Sequence, residues 1–329
     1  MKTTKCPICE NVAMLSYEKM KGYKEGLFFN IYECSHCFVS FVDPLHSDSE
    51  VYDSIYKYGE NISGYMRYYR FSKAVKLSKK PLELLSESEN VYWGVKKALE
   101  SLSLEKKTTS VLEIGSGLGY LTYALNKDGY QTKGIDISQN AINSAIAEYG
   151  HYYECVDLFD LSLSRKSFYD VIVMTELIEH VEDPRNFLQA ASLLLKDGGK
   201  IIITTPNKNA TSDQSIKWQN DIPPVHLFWF SEKSIEYLAG FLGKTVSFID
   251  FSEYTKKYFE YDVNVPVSKL EESLPRLSKD GEIFHGKEIN NIKSKFLNPL
   301  TYTLLSNFLR RIRRKTVSKR SSSMCVILS

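Results

Sequence analysis

The chain has 329 residues, with 42 basic against 40 acidic side chains and a formal net charge of +2. That balance gives no global pull toward nucleic acid or a membrane, so a charged partner would have to be met by a local patch. A hydrophobic content of 43% at this length suits one large α/β domain with a small appended module, and no run of about 18 apolar residues is present to span a bilayer.

The opening MKTTKCPICE lacks the apolar core of a signal peptide, which predicts a cytoplasmic protein. Four of the six cysteines form two Cys-x-x-Cys pairs, the usage expected where a reducing compartment leaves thiolates for metal. Cys155 and Cys325 stand alone and are expected as buried small apolar side chains. Cys6 and Cys9 are separated from Cys34 and Cys37 by 24 residues. Each pair on a tight turn aims two thiolates at one point, and together they make a tetrahedral site for a structural Zn2+. Residues 27–33 have strand composition and feed the second pair, as a zinc ribbon requires. Redox use is the competing reading, but a thioredoxin-like motif opens a helix after a strand, whereas Pro7 and His36 sit in turn-like contexts. Four protein ligands close the coordination sphere, so the metal is expected to fold the module rather than to activate water.

Residues 51–70 carry Tyr52, Tyr56, Tyr58, Tyr65, Tyr68 and Tyr69. Tyrosine buries its ring and keeps its hydroxyl wet, which suits either the wall of a site that opens and closes or packing between two modules. Over residues 72–103 apolar side chains recur at helical spacing, so helices lead into the main domain.

Residues 110–114 read as an apolar strand, 115–119 (Gly-Ser-Gly-Leu-Gly) as a turn, and 120–127 as a helix closed by Asp128 and Gly129. Gly115 and Gly117 let the backbone approach a ligand, and the amides that open the helix face the same space. Nineteen residues beyond Gly117, the next strand ends in Asp136, where ribose hydroxyls would be bound. A dinucleotide enzyme is the rival, but its G-x-G-x-x-G fingerprint needs a small residue where Tyr120 stands. Here G-x-G-x-G, ending at Gly119, follows Glu113 instead.

Over roughly residues 90–250 these segments resemble the class I S-adenosylmethionine (SAM)-dependent methyltransferases, and further segments follow in that family's order. Residues 154–157 look like the third strand, whose acidic end, here Asp157, holds the adenine amino group in the family. Residues 168–176, ending in Thr175 and Glu176, look like the fourth strand and run into Glu179 and His180. Residues 193–199 and 200–207 resemble the helix, turn and fifth strand. These strands are continuous apolar runs, as a sheet buried on both faces needs, and Asp197-Gly198-Gly199 reads as a helix stop. The resemblance implies a Rossmann-like seven-stranded sheet with a cofactor site of Glu113, Gly115, Gly117, Gly119, Asp136, Asp157 and Thr175.

Methyl transfer from a sulfonium is an in-line displacement, so the protein mainly positions the acceptor and removes its proton. His226, in an aromatic loop over residues 223–231, and His180 are the candidate bases, with Glu176 beside them; a hydrogen-bonded loop residue is the competing reading for each histidine. Ser231 reads as the cap of a helix over 232–241. The four-cysteine module, tyrosine-rich linker, SAM domain and His226 before Phe-Trp-Phe-Ser together resemble the sugar C-methyltransferases that act on keto-deoxysugar nucleotides. In that family the loop carries a Glu-His pair whose histidine is the base; here Val225 stands in place of the glutamate, and the second Rossmann-like domain of that family has no room. The expected acceptor is a small molecule or a glycan, through a hydroxyl or carbon of a sugar, sugar nucleotide or polysaccharide, in polysaccharide biosynthesis. Zinc-ribbon rRNA methyltransferases fit less well, because residues 37–44 lack their His-x-Phe-Asp continuation and the SAM domain lacks a broad basic run, so no nucleic acid is expected. The alternative functions are an rRNA or tRNA methyltransferase and a non-catalytic zinc-ribbon adaptor on a SAM fold.

Residues 244–250 and 323–329 read as the sixth and seventh strands, with an insertion at about 252–320 whose natural use is acceptor binding. Its later part, 296–309, is apolar and runs into a basic segment from Arg310. Such a helix either packs on the domain or makes peripheral contact with an anionic membrane. The expected organisation is a zinc-ribbon module over 1–45, a tyrosine-rich linker and helices over 46–104, and the SAM domain over 105–329.

Overall fold

The structure is a computed structural model and describes residues 2–62, 64–210, 222–258, 275–284, 297–312 and 321–329. Most of the expected 252–320 insertion lies outside these residues, as does the end of its basic segment.

The main sheet is built from the apolar runs. Strands β5 (Ser110–Ile114), β6 (Gln131–Asp136), β7 (Tyr153–Cys155), β8 (Tyr169–Thr175) and β9 (Leu195–Pro206) are parallel, and the antiparallel β11 (Val246–Phe248) and β12 (Ser323–Leu328) complete the order β11-β12-β9-β8-β5-β6-β7. Side chains alternate across it. Val111, Val171, Val173 and Ile202 face one core with α2 (Met66–Leu77), α3 (Pro81–Ser88), α4 (Asn90–Ser101) and α5 (Tyr120–Lys127). Leu112, Ile114, Ile172, Met174, Ile201 and Ile203 face the other. This α/β, Rossmann-like seven-stranded architecture is the one expected.

The second core is shared with the N-terminal sheet, formed by β1 (Thr3–Lys5), β2 (Val12–Lys21), β3 (Phe28–Cys34) and β4 (Ser40–Asp43). Its fifth strand, β10 (Phe228–Trp229), comes from the loop that carries His226. Phe228 lies opposite Phe41 and Trp229 opposite Ser40, and the Val42 amide donates to the Leu227 carbonyl at 3.0 Å. The cysteine-bearing segment and the later domain are thus joined by a common sheet and a common core.

Three elements differ from the reading of the sequence. Asp197, Gly198 and Gly199 do not stop a helix: α8 (Pro184–Leu193) ends before them, and they lie inside β9, where pairing with β8 jumps from Tyr169–Leu195 to Val171–Lys200. The glycines make a bulge rather than a cap. The strand expected over 244–250 is shorter, Val246–Phe248. Helix α11 (Pro299–Ile312), which follows α9 (Glu232–Phe241) and α10 (Ser252–Lys257), packs inward through Thr303 and Asn307 and leaves Leu304, Leu305, Phe308 and Ile312 exposed. The reason lies in what it covers. Asn307 Nδ2 donates to Ser88 Oγ at 3.1 Å, and Arg310 donates to the Glu87 and Ser88 carbonyls at the end of α3, groups that the helix itself leaves unsatisfied. Among the described residues no helix is long and apolar enough to cross a membrane.

Candidate functional site

The C-terminal ends of the parallel strands bring the predicted cofactor residues to one edge of the sheet, where ligands of open α/β sheets bind. In the loop between β5 and α5, Gly117 (φ 47°) and Gly119 (φ 78°) both need a left-handed backbone, yet for different reasons. A Cβ at Gly117 would meet only the Tyr56 hydroxyl, 3.7 Å away, so this glycine keeps the ligand side of the loop open. At Gly119 it would stand 2.7 Å from Ala145 Cβ and 2.8 Å from the Tyr153 ring. Gly119→Ala should therefore destabilise the protein by about 2–4 kcal/mol, from the left-handed conformation and the overpacking together, read as a lower urea midpoint. An unchanged midpoint would mean that the loop relaxes freely.

Asp136 is buried and holds this loop from β6: Oδ2 accepts from the Gly117 amide at 2.8 Å and Oδ1 from the Ser138 amide at 2.9 Å. Burial raises its pKa, against the pull of those amides. Ser116 Oγ is buried without a hydrogen-bond partner in the same loop. Asp157 is exposed and caps α7 (Leu158–Ser164), accepting from the Phe159 amide at 2.7 Å. Thr175 ends β8 beside Thr204, and Glu176 follows with φ 49°, a strained turn of the kind that gathers at functional sites. The Glu176 carboxylate adds to burial in pushing the Cys325 thiol up.

Glu113, the residue before the end of β5, reaches across to α5. It is buried, Thr122 Oγ1 on α5 hydrogen-bonds its carboxyl, and burial pushes it up to about 8. The bond to Thr122 braces β5 against α5. Because the folded pKa stands above the unfolded value, the stability it contributes is complete in acid and lost as pH rises toward about 8. Urea unfolding at about pH 5 and about pH 9 should show a fall on the order of a few kcal/mol in the parent, and a flatter profile in Glu113→Gln. Equal slopes in both proteins would exclude Glu113 as the source.

Helix α1 (Ser49–Tyr58) crosses this edge of the sheet. Tyr52 and Tyr56, one turn apart, share a face. Tyr56 stands over Gly117, while the Tyr52 hydroxyl donates to the Val225 carbonyl at 3.0 Å and its ring meets that of His180 edge-on at 6.2 Å. Tyr65 and Tyr68 pack on each other, and Tyr69 donates to the Tyr56 carbonyl at 2.8 Å. Tyr65, Tyr68 and Tyr69 thus pack among themselves and on α1, while Tyr52 and Tyr56 face His180 and the glycine loop.

His180 and His226 come together from segments far apart in sequence, with ring centroids 4.6 Å apart and planes at 81°. Burial lowers the pKa of both, and the neighbouring His180 lowers His226 further, so both rings are neutral. His180 Nδ1 donates to the Val225 carbonyl, which ties the two segments. Glu179 lies buried between them: its carbonyl accepts from the Leu227 amide at 2.9 Å, Oε2 accepts from Thr205 Oγ1 at 2.9 Å, and burial pushes the carboxyl up to about 8. A carboxyl group, that of Glu179, thus stands beside the two histidines. Thr205 is the member of this cluster that the sequence reading did not name, while Glu179 was named only as the neighbour of His180 and Tyr52 and Tyr56 only among six clustered tyrosines.

The four paired cysteines are all buried. Cys6 and Cys37 Sγ lie 3.6 Å apart, Cys9 and Cys34 Sγ 3.4 Å apart, and all four sulfurs fall within 4.8 Å of one another. Each turn is closed by a left-handed residue after its second cysteine, Glu10 (φ 62°) and Phe38 (φ 60°). Hydrogen bonding from the Cys37 thiol, with the amides of Cys9 and Ile8, pulls Cys6 down to about 5.

Residues 89–243 match a family model described as a methyltransferase domain. The chain is 34% identical over 107 residues to the ubiquinone biosynthesis O-methyltransferase of Idiomarina loihiensis, covering 31% of this chain and 44% of that protein. It is 35% identical over 108 residues to the protein of the same name from Coxiella burnetii, covering 31% and 46%. The matched segment thus spans less than half the length of these curated relatives. Among solved structures it is similar to a SAM dependent methyltransferase from Archaeoglobus fulgidus, with 16% identity, 71% of this chain, 92% of that chain and a TM-score of 0.40. It is also similar to the plantazolicin methyltransferase BamL in complex with a triazolic analog and SAH, with 14% identity, 85% and 95% coverage and a TM-score of 0.44. The glycine loop and Asp136 lie within the segment that matches the methyltransferase domain, on the five parallel strands of the seven-stranded sheet.

Proposed function

We propose that the protein transfers a methyl group from SAM to a hydroxyl of a small-molecule or glycan acceptor, with His226 as general base. The observation that carries this reading is the buried, neutral His180–His226 pair at the strand edge that bears the glycine loop, under the shared face of Tyr52 and Tyr56. A neutral imidazole accepts the acceptor's proton as the oxygen attacks. The open backbone at Gly117, the orphaned Ser116 hydroxyl and the buried Asp136 carboxylate fit a nucleoside, with Asp136 for the ribose and Asp157 for the adenine amino group. SAM supplies an electrophilic methyl on a sulfonium that leaves as a neutral thioether. O-methyl transfer in the names of the curated relatives favours oxygen over carbon, and the cysteine module with its His226 loop favours a sugar acceptor.

The four thiols are assigned to a structural Zn2+. Zinc–sulfur bonds of about 2.3 Å place tetrahedral sulfurs ~3.8 Å apart, near the 3.4 and 3.6 Å found here. The test is calorimetry with SAM and S-adenosylhomocysteine, followed by transfer of labelled methyl to sugar nucleotides and polysaccharides. Heat with both ligands and label in a sugar product are expected; no heat with either ligand would remove the reading.

A further inference from the structure

We propose that Glu179, His180 and His226 form a second metal site, which takes a divalent transition ion through two imidazoles and one carboxylate. It is separate from the four-thiol cluster. One ligand atom from each of the three residues lies within 4.8 Å of the others. Bonds of about 2.0–2.2 Å to nitrogen and oxygen would draw them closer by small side-chain rotations.

The surroundings are those a metal needs. The two rings stand 4.6 Å apart between centroids and at 81° to each other, so their edges can turn toward one ion. His180 donates Nδ1–H to the Val225 carbonyl, which fixes the tautomer with its lone pair on Nε2, and Nε2 stands 3.8 Å from Glu179 Oε1. A ligating histidine is oriented by this kind of outer hydrogen bond. Thr205 Oγ1 holds Glu179 Oε2 in the same way, while Oε1 is buried with no hydrogen-bond partner. A cation between Nε2, Oε1 and the His226 ring would satisfy what a proton does not. Two imidazoles and a carboxylate suit zinc, cobalt, nickel or ferrous iron, in contrast to the all-oxygen sets that magnesium and calcium take.

The inference rests on the site proposed above and adds a control to it. A bound metal occupies the lone pair that His226 uses as a base, so metal and acceptor proton compete for one atom and the loaded site is held inactive. The experiment titrates Co2+ into the full-length protein with its thiol cluster already filled by zinc. A second equivalent is expected, with visible absorption but no thiolate charge-transfer band. Glu179→Gln and His226→Gln, which keep size and hydrogen bonding, should each abolish that absorption, and Thr205→Val should weaken binding by about 10–100-fold. Methyl transfer by the parent should fall with added Co2+ and recover when the ion is exchanged out. Absence of a second equivalent, or full affinity in Glu179→Gln, would overturn the metal site. Because absorption is read without turnover, a protein that binds cobalt here but transfers no methyl would overturn the proposed function and leave the site standing.

Discussion

Cys34→Ser should remove metal from the thiol cluster and, with it, most of the methyl transfer, although no cysteine lies at the proposed reaction centre. The path runs through β4. Cys34 ends β3, β4 follows directly, and β4 pairs with β10, two residues beyond His226. Phe228, Trp229 and Phe230 are all buried in the core shared by the two sheets. A structural zinc contributes about 10–16 kcal/mol to folding in small zinc-binding peptides, as much as the whole stability of an ordinary domain. Without it the N-terminal sheet should lose its register, and the His226 loop its cross-strand partner. A displacement of about 1 Å at a reacting group costs on the order of 100-fold in rate, so turnover should fall at least that far. SAM affinity should change less than about tenfold, since Gly117 and Asp136 belong to the other sheet. Native mass spectrometry reads the metal, tryptophan fluorescence the exposure of Trp229, and calorimetry the cofactor. Turnover that survives loss of the metal would show that β10 holds its place without β4.

The second large effect concerns Asp136. Asp136→Ala should weaken SAM binding by about 10–100-fold, the range for losing a hydrogen bond to a charged group. The loss has two parts. The carboxylate proposed for the ribose is gone, and the Gly117 and Ser138 amides that it satisfies are left without their acceptor, which loosens the loop before any ligand arrives. Asp136→Asn separates these parts, because its single carbonyl oxygen replaces one acceptor and keeps the shape. Calorimetry should rank the parent above Asp136→Asn and that above Asp136→Ala. Affinity for SAM equal in all three would show that Asp136 neither contacts the cofactor nor holds the loop that does.

Where an element depends on its own residues, the sequence was enough. Helix α5 spans Tyr120–Lys127 because glycines admit the turn before it, and α9 starts at Glu232 because Ser231 caps it, accepting from the Ser234 amide. β5 is legible as an apolar run between polar flanks. The bulge at Asp197, Gly198 and Gly199 was misread because glycine serves a helix end and a strand irregularity equally well, and only the partner strand decides which.

The chain's own order of residues therefore determined the class of the sheet, the glycine loop with its carboxylate at Asp136, and the pairing of cysteines into one cluster, all of them consequences of local backbone freedom and hydrophobic period. Tertiary structure alone decided that the His226 loop completes the cysteine-bearing sheet, that Glu179 supplies the carboxylate beside the two histidines, and that α11 turns its polar side inward. Each of these depends on which distant group is left to be met: an edge strand, a buried carboxyl oxygen, the carbonyls at the end of α3. An unpaired polar group selects its partner by position in space, and a linear pattern does not carry that position.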